Sequence, residues 1–289
     1  MKNLLQNLRY FTYTHSNMED VWPIYLGQLE KFSPNIKHTM IIDKEFDLER
    51  AETLVYDEDA NYCAEYVKCL TDSSIQEDYV IYMQEDFFLY NPVDLFTINR
   101  YLNVLEQDPE LSFIRLVKQP AWPYEIYGPQ HFKELAAIGV LEQQILDCVD
   151  MYIYREDETL FWVRHPEELH TGEISYSMQP TIWRRSDLIN LYNTCGRQKF
   201  GEGAGWTDAM NKCGIKGLYH YGNEKRRGSL HFDSNVFPYT LTGIVKSMWN
   251  TLEYPELTEM LNQYSIDQTI RGELTVEKLQ TAKSWYNNE

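Results

Sequence analysis

Two adjacent carboxylates, Glu85 and Asp86, follow directly on the run Tyr79-Val-Ile-Tyr-Met83, in which every side chain is aromatic, β-branched or otherwise apolar. Such a run, free of Gly and Pro, reads as a strand buried on both faces of a mostly parallel sheet. Unpaired carboxylates cannot continue into the core, because desolvating an isolated charge costs many kcal/mol. The pair therefore belongs at the carboxyl edge of the sheet, where open α/β sheets bind ligands. A solvated turn is the commoner fate of a Glu-Asp pair, but Phe87-Phe-Leu-Tyr90 immediately behind it supplies an apolar shelf that a solvated turn does not need. Sequence neighbours in an extended chain point in different directions, so this is a poor arrangement for a hydrolase's facing acids. A second reactive stretch is Phe200-Gly-Glu-Gly-Ala-Gly-Trp-Thr-Asp208, where three glycines let the backbone approach a ligand closely beside Glu202 and Asp208.

The elements needed to position these groups follow a βαβ rhythm. Leu8 to Thr14 reads as a first strand, followed by the S-x-x-E capping box Ser16-Asn-Met-Glu19 and a helix ending at Ser33-Pro34. His38 to Ile42 is a second strand closed by Asp43, and Thr53 to Tyr56 a third; a helix carrying Tyr62, Cys63, Tyr66, Val67 and Leu70 then leads to the acidic strand. Asn91-Pro92 opens another helix, Ser112 to Leu116 returns as a strand, and Met151–Tyr154 with Leu160–Arg164 forms an antiparallel hairpin. Ile174 to Met178 reads as a strand, Gln179 to Leu191 as the lead into a helix, Gly217 to Tyr221 as a last strand, and Tyr254 to Glu289 as two amphipathic helices packed outside the core.

At 289 residues, with 43% hydrophobic and 14% aromatic residues, the chain can bury a substantial core. We read it as one domain over 1–289: a first half to about 120, a second half to about 250 and a helical tail over 251–289. A formal charge of −18 opposes binding to nucleic acid, whose affinity depends on Lys and Arg. No apolar run is long enough to cross a bilayer. Met1 to Arg9 lacks the apolar core of a secretory signal, and five cysteines match no zinc, redox or disulfide pattern, so a cytoplasmic protein with reduced thiols is expected. The basic candidates are Arg184-Arg185, Lys225-Arg-Arg227 and Lys246.

In order along the chain, Thr12-Tyr-Thr-His-Ser16, Asp20-Val-Trp22, Gln84-Glu-Asp-Phe-Phe-Leu89, Ser177-Met-Gln-Pro-Thr-Ile-Trp183 and Trp206-Thr-Asp208 resemble the motifs of glycosyltransferases of the GT-A fold, in a loosely defined bacterial and viral group. The resemblance spans about Phe11 to Trp249 and implies a Rossmann-like α/β fold, with a nucleotide-binding half to about 120 and a donor-sugar and acceptor half over about 121–250, a nucleotide-sugar donor, UDP-linked by preference or GDP-linked, and a glycan or other hydroxyl acceptor. A hexosyl or pentosyl group would be transferred, with inversion expected. Such transfer releases a diphosphate whose charge Mn2+ or Mg2+, held by one or two carboxylates, offsets. Asp86 is the implied metal ligand, with Glu85 sharing the metal or holding a ribose hydroxyl, and His231 a further ligand or an ordinary loop histidine. Thr14, His15 and Asp43 fall beneath the base, although Asp43 also suits a turn cap. Ser177 and Gln179 fall near the donor sugar. Asp208, then Glu202, is the candidate base, each with helix capping as the alternative. Arg184 and Arg185 suit either a diphosphate contact or a helix surface. Trp122, Trp183 and Trp206 suit either sugar stacking or the core.

Two departures stand out: Gln84 replaces the first carboxylate of Asp-x-Asp, and Thr207-Asp208 stands where relatives often carry two glutamates. The competing expectations are a carbohydrate-binding module without metal or base, and a sugar nucleotidyltransferase. The second lacks its glycine-rich, arginine-containing loop between Met1 and Ser16.

Overall fold

The computed structural model describes residues 1–117, 151–154, 157–163, 176–199, 205–220, 226–227 and 231–279. The sheet strands in chain order are β1 (Leu8–Tyr13), β2 (Lys37–Ile42), β3 (Glu52–Val55), β4 (Tyr79–Gln84), β5 (Phe113–Arg115), β6 (Met151–Tyr154), β7 (Asp157–Val163), β8 (Thr181–Arg184) and β9 (Gly217–His220). Their order in space is β3-β2-β1-β4-β8-β5-β9-β7-β6. Strands β1 to β4 are parallel, β5 is parallel to β9, and β8 lies antiparallel between β4 and β5. Antiparallel β6 and β7 close the far edge. Among the described residues, two short hairpins stand apart, β10 (Arg226–Arg227) with β11 (His231–Phe232) and β12 (Ile244–Val245) with β13 (Met248–Trp249). The α/β, Rossmann-like architecture expected from the sequence is present, hairpin included.

Among the described residues, six helices flank the sheet: α1 (Trp22–Phe32), α2 (Tyr62–Leu70), α3 (Leu95–Gln107), α4 (Arg185–Cys195), α5 (Trp206–Cys213) and α6 (Glu256–Gln263). Strand β4 shows why its run is apolar throughout. Tyr79, Ile81 and Met83 join the core under α1, α3 and α6, whereas Val80 and Tyr82 join the opposite core under α2, α4 and α5. Successive side chains alternate across a strand, so burial on both faces leaves no position for a polar residue.

Four expectations are corrected. Residues 176–180 are irregular and the strand is β8, which begins three residues after Met178; Pro180 cannot donate to a ladder, and β8 abuts α4 without a loop, which disguised it as a helix lead-in. The capping box does not form. Ser16 instead donates to Asp43 from its backbone N–H (2.5 Å) and hydroxyl (2.7 Å), and α1 starts at Trp22 with Pro23 in its first turn. Helix α3 begins at Leu95, where Asp94 caps the Thr97 N–H at 3.0 Å, rather than at Asn91-Pro92. Finally, α6 is part of the core: Leu257, Met260 and Leu261 are buried, and the Tyr264 hydroxyl donates to Gln28 at 3.1 Å. The boundary expected near 120, Trp122 and most of the stretch expected to form the second tail helix lie outside the described residues. Among the described residues, no helix is long and apolar enough to cross a membrane.

Candidate functional site at the carboxyl edge

Parallel register brings the expected groups to one edge. Tyr13 at the end of β1 pairs with Gln84 at the end of β4, so the Thr14–Ser16 loop lies beside Glu85 and Asp86. Asp43 follows β2 and reaches the same loop through Ser16. Because β8 is antiparallel, with Thr181 opposite Tyr82, Ser177 and Gln179 enter at this edge too. Helix α5 precedes β9, which starts beside Phe113, so Asp208 in its first turn lies toward the carboxyl edge, exposed. Trp206 next to it stacks on Tyr176 with ring centroids 4.0 Å apart.

The polar atoms of several of these residues have internal partners. Thr14 is buried and its hydroxyl accepts from the Trp22 indole at 3.0 Å. Ser177 Oγ accepts the Gln179 backbone N–H at 3.2 Å, and the Gln179 side-chain Oε1 accepts from the Tyr239 hydroxyl. His15 is partly exposed; its Nδ1 accepts the Asn17 N–H at 3.0 Å, and its Nε2 meets Glu58. Burial opposes ionisation of Asp43, but the two Ser16 donors outweigh it and hold the carboxyl below its usual range.

Glu85 and Asp86 behave oppositely. Burial, then the charge of Asp86, pushes Glu85 upward, with the Arg271 charge a smaller opposing influence. Burial likewise raises Asp86 against the Ile244 backbone N–H. Partly buried acids with so little cationic compensation favour the uncharged state unless a cation joins them. A strap over residues 239–250 fixes their turn. The Asp86 carbonyl accepts from Thr240 Oγ1 (3.1 Å) and the Gly243 N–H (3.2 Å), and Thr240 exchanges bonds with Phe88. Gly243 is required by this approach, since a Cβ there would lie 2.7 Å from the Asp86 carbonyl oxygen and 2.3 Å from the Phe88 ring.

The donor set is oxygen-only, which suits Mg2+ or Mn2+ bound by one or two carboxylates together with substrate phosphates. Glu85 and Asp86 therefore fit the implied metal. Among the described residues, the one group of three His, Cys, Asp or Glu ligands is a different one, His15, Asp43 and Glu58, with ligand atoms within 4.8 Å of one another. Both Asp43 oxygens there already accept from Ser16. Beside that group lies a cavity of about 210 Å3 lined by Tyr13, Tyr56, Tyr62, Glu58 and Lys199 among others. Tyr13 and Tyr56 stack at 5.0 Å on its wall. Sequence reasoning gave no site role to either tyrosine or to Arg271; Tyr13 entered only within the first strand and its motif, and Tyr56 only as the end of a strand.

Other candidates move away from the site. Arg184 pairs with Tyr79 at the opposite end of β4 and donates to the carbonyls of Leu105 (2.6 Å) and Leu111 (3.3 Å), while Arg185 donates to the Leu70 carbonyl at 3.0 Å. Strand β4 spans about 20 Å at ~3.3 Å per residue, so neither is a diphosphate contact. Trp183 and Trp206 are fully buried, Trp183 against Phe113 at 4.7 Å. They are core residues, and the carbohydrate-binding reading loses two of its platforms. Glu202, Trp122 and the side chain of His231 lie outside the described residues.

No family model and no curated protein sequence matches the chain. Solved structures do align with it. The mannosyltransferase PcManGT from Pyrobaculum calidifontis, solved with GDP-Man and Mn2+, is 9% identical over 77% of this chain and 58% of its own, with a TM-score of 0.40. The bifunctional IspDF from Campylobacter jejuni is 13% identical over 78% and 52%, at 0.39. The bifunctional glycosyltransferase WbbM in its apo form is 9% identical over 72% and 37%, at 0.35. The chain thus spans little more than half the length of the first two at most.

Proposed function

We propose that the chain is a metal-dependent glycosyltransferase of the GT-A type, taking a sugar from a nucleotide sugar, UDP-linked by preference, to a hydroxyl acceptor with inversion. One observation carries this reading: acids raised by burial at the end of β4 share a sheet edge with His15, Asp43 and an aromatic-walled cavity. A site built only for stability would pair those acids with cations or hydrogen-bond donors.

In this reading the cavity beside Tyr13 and Tyr56 takes the base, and Asp43, already ionised, accepts from its ring N–H or from a ribose hydroxyl. Glu85 and Asp86 hold the divalent cation, which when bound neutralises the departing diphosphate. Ser177 and Gln179 orient the donor sugar. Asp208, exposed at the start of α5, takes the acceptor proton as attack begins.

Thermal shift with UDP and GDP, with and without Mn2+, tests the reading first. A stabilisation that needs both nucleotide and metal supports it; stabilisation by free oligosaccharide alone, or by nothing, overturns it. With the donor found from a panel of nucleotide sugars, Asp208→Asn should leave donor affinity within about twofold and lower kcat at least ~100-fold, the scale of a lost general base. Near-normal turnover removes Asp208 as the base.

A further inference from the structure

Asp20, the carboxylate of the Asp20-Val-Trp22 motif, has no part in the site described so far, yet it has a specific partner. Asp20 accepts from Arg271 in a fork, Nε at 2.7 Å and Nη2 at 2.5 Å, across most of the length of the chain. Arg271 Nη2 also reaches the Asn17 carbonyl at 3.1 Å, in the loop that follows β1. Its guanidinium lies 5.9 Å from the centre of the Trp249 ring, and its side chain is 9% exposed. The backbone around it is fixed: the Trp249 N–H donates to Gly272 at 3.0 Å, and the Leu274 N–H returns to Trp249 at 2.9 Å.

We propose that Arg271 is the protein's own cation for the diphosphate of the nucleotide, held at the edge of the cleft by Asp20. This rests on the function proposed above and names a residue that reading did not contain. Three observations converge. Nη1 makes no hydrogen bond to any described residue, although the side chain is more than nine-tenths buried. The loop to which Arg271 is clamped, 15 to 20, borders the acid pair through the Tyr13–Gln84 register. The Arg271 charge also acts on Glu85. A guanidinium fixed along one edge by a carboxylate, with its other edge available, offers an oxyanion a preorganised donor at little rotamer cost. Asp20 positions; Arg271 binds. The arrangement also joins the carboxy-terminal segment to the acid pair, so that a bound diphosphate would bridge the cation held by Glu85 and Asp86 and the guanidinium.

The test compares ligands that differ only in phosphate. Calorimetric titration of the full chain with Mn2+ and UDP or GDP, and with uridine or guanosine, is run on the wild type, Arg271→Gln, Arg271→Lys and Asp20→Asn. Arg271→Gln should weaken diphosphate binding about tenfold or more, the scale of a lost charge-assisted hydrogen bond, and change nucleoside binding less than about twofold. Arg271→Lys should recover part of the loss, and Asp20→Asn should show a smaller one of the same kind. Equal losses for nucleoside and diphosphate, or no loss, overturn the role of Arg271 while leaving the site intact. Failure of the wild type to bind any nucleoside diphosphate overturns the site and this assignment together. Should the variants not fold, phenylglyoxal labelling of wild-type Arg271 decides: protection by Mn2+ and nucleoside diphosphate but not by nucleoside is expected, and equal labelling in all conditions rejects the proposal.

Discussion

Strand β4 has carboxylates at both ends, and they are treated in opposite ways. At its amino end Glu77 is buried against Arg9, whose Nε donates at 2.7 Å, and Lys37, at 2.7 Å; Arg9 in turn binds Thr39 at 2.7 Å and Glu52 at 2.5 Å. Burial alone would raise Glu77, yet the hydrogen bonds from Arg9 and Lys37 bring it down to about 2. At its carboxyl end Glu85 and Asp86 are raised. The same strand thus carries one carboxylate stabilised as an ion by the fold and two that the fold leaves short of positive charge. The first arrangement is structural. The second is stable only at a cost that a bound cation and phosphate would remove, which is how a binding site differs from a buried ion pair.

Substitution at the two ends should give effects of opposite sign. Arg9→Leu leaves Glu77 buried without its main partner and should cost about 3–5 kcal/mol in urea unfolding; a loss under about 1 kcal/mol would mean that the paired end is not structural. Acid titration should sharpen the contrast. Glu77 has a folded pKa below its unfolded value near ~4.3, so its stabilisation is present above that pH and is lost as pH falls toward 2, by a few kcal/mol. Unfolding free energy flat across that window would contradict the assignment. Gly243→Ala, which pushes a methyl group into the Asp86 carbonyl and the Phe88 ring, should cost about 1–3 kcal/mol and move the acid turn. Asp86→Asn is the smallest and the most telling. It should leave stability without ligand unchanged or raise it by up to about 1 kcal/mol, since it removes a charge the fold disfavours. A loss as large as that of Arg9→Leu would make the two ends equivalent and end the comparison.

Much of this was legible in the sequence because it is local. The continuous apolar run of β4 gave its double burial, and the acids directly after it gave the carboxyl edge. The order of strands and helices placed Thr14, His15 and Asp43 there as well, because parallel βαβ units deliver every strand end to one side. What stayed hidden depends on partners distant in the chain. The sequence around Trp183 and Trp206 does not reveal that Phe113 and Tyr176 bury them, and Arg184 looks like a phosphate ligand until β8 is known to run antiparallel. Ser16 satisfies a capping-box pattern, but Asp43 competes for it and wins with a charged acceptor. Arg271 lies in a polar stretch with no motif of its own, and only its contact with Asp20 marks it.

The central claim is that the acids after β4 bind a divalent cation together with a nucleoside diphosphate. Calorimetric titration of UDP and GDP into the wild type and Asp86→Asn, each with Mn2+ and with chelator, tests it most directly. The account predicts binding by the wild type that requires Mn2+ and is lost in a variant that remains folded. Binding that persists without metal, or that Asp86→Asn leaves unchanged, would contradict it.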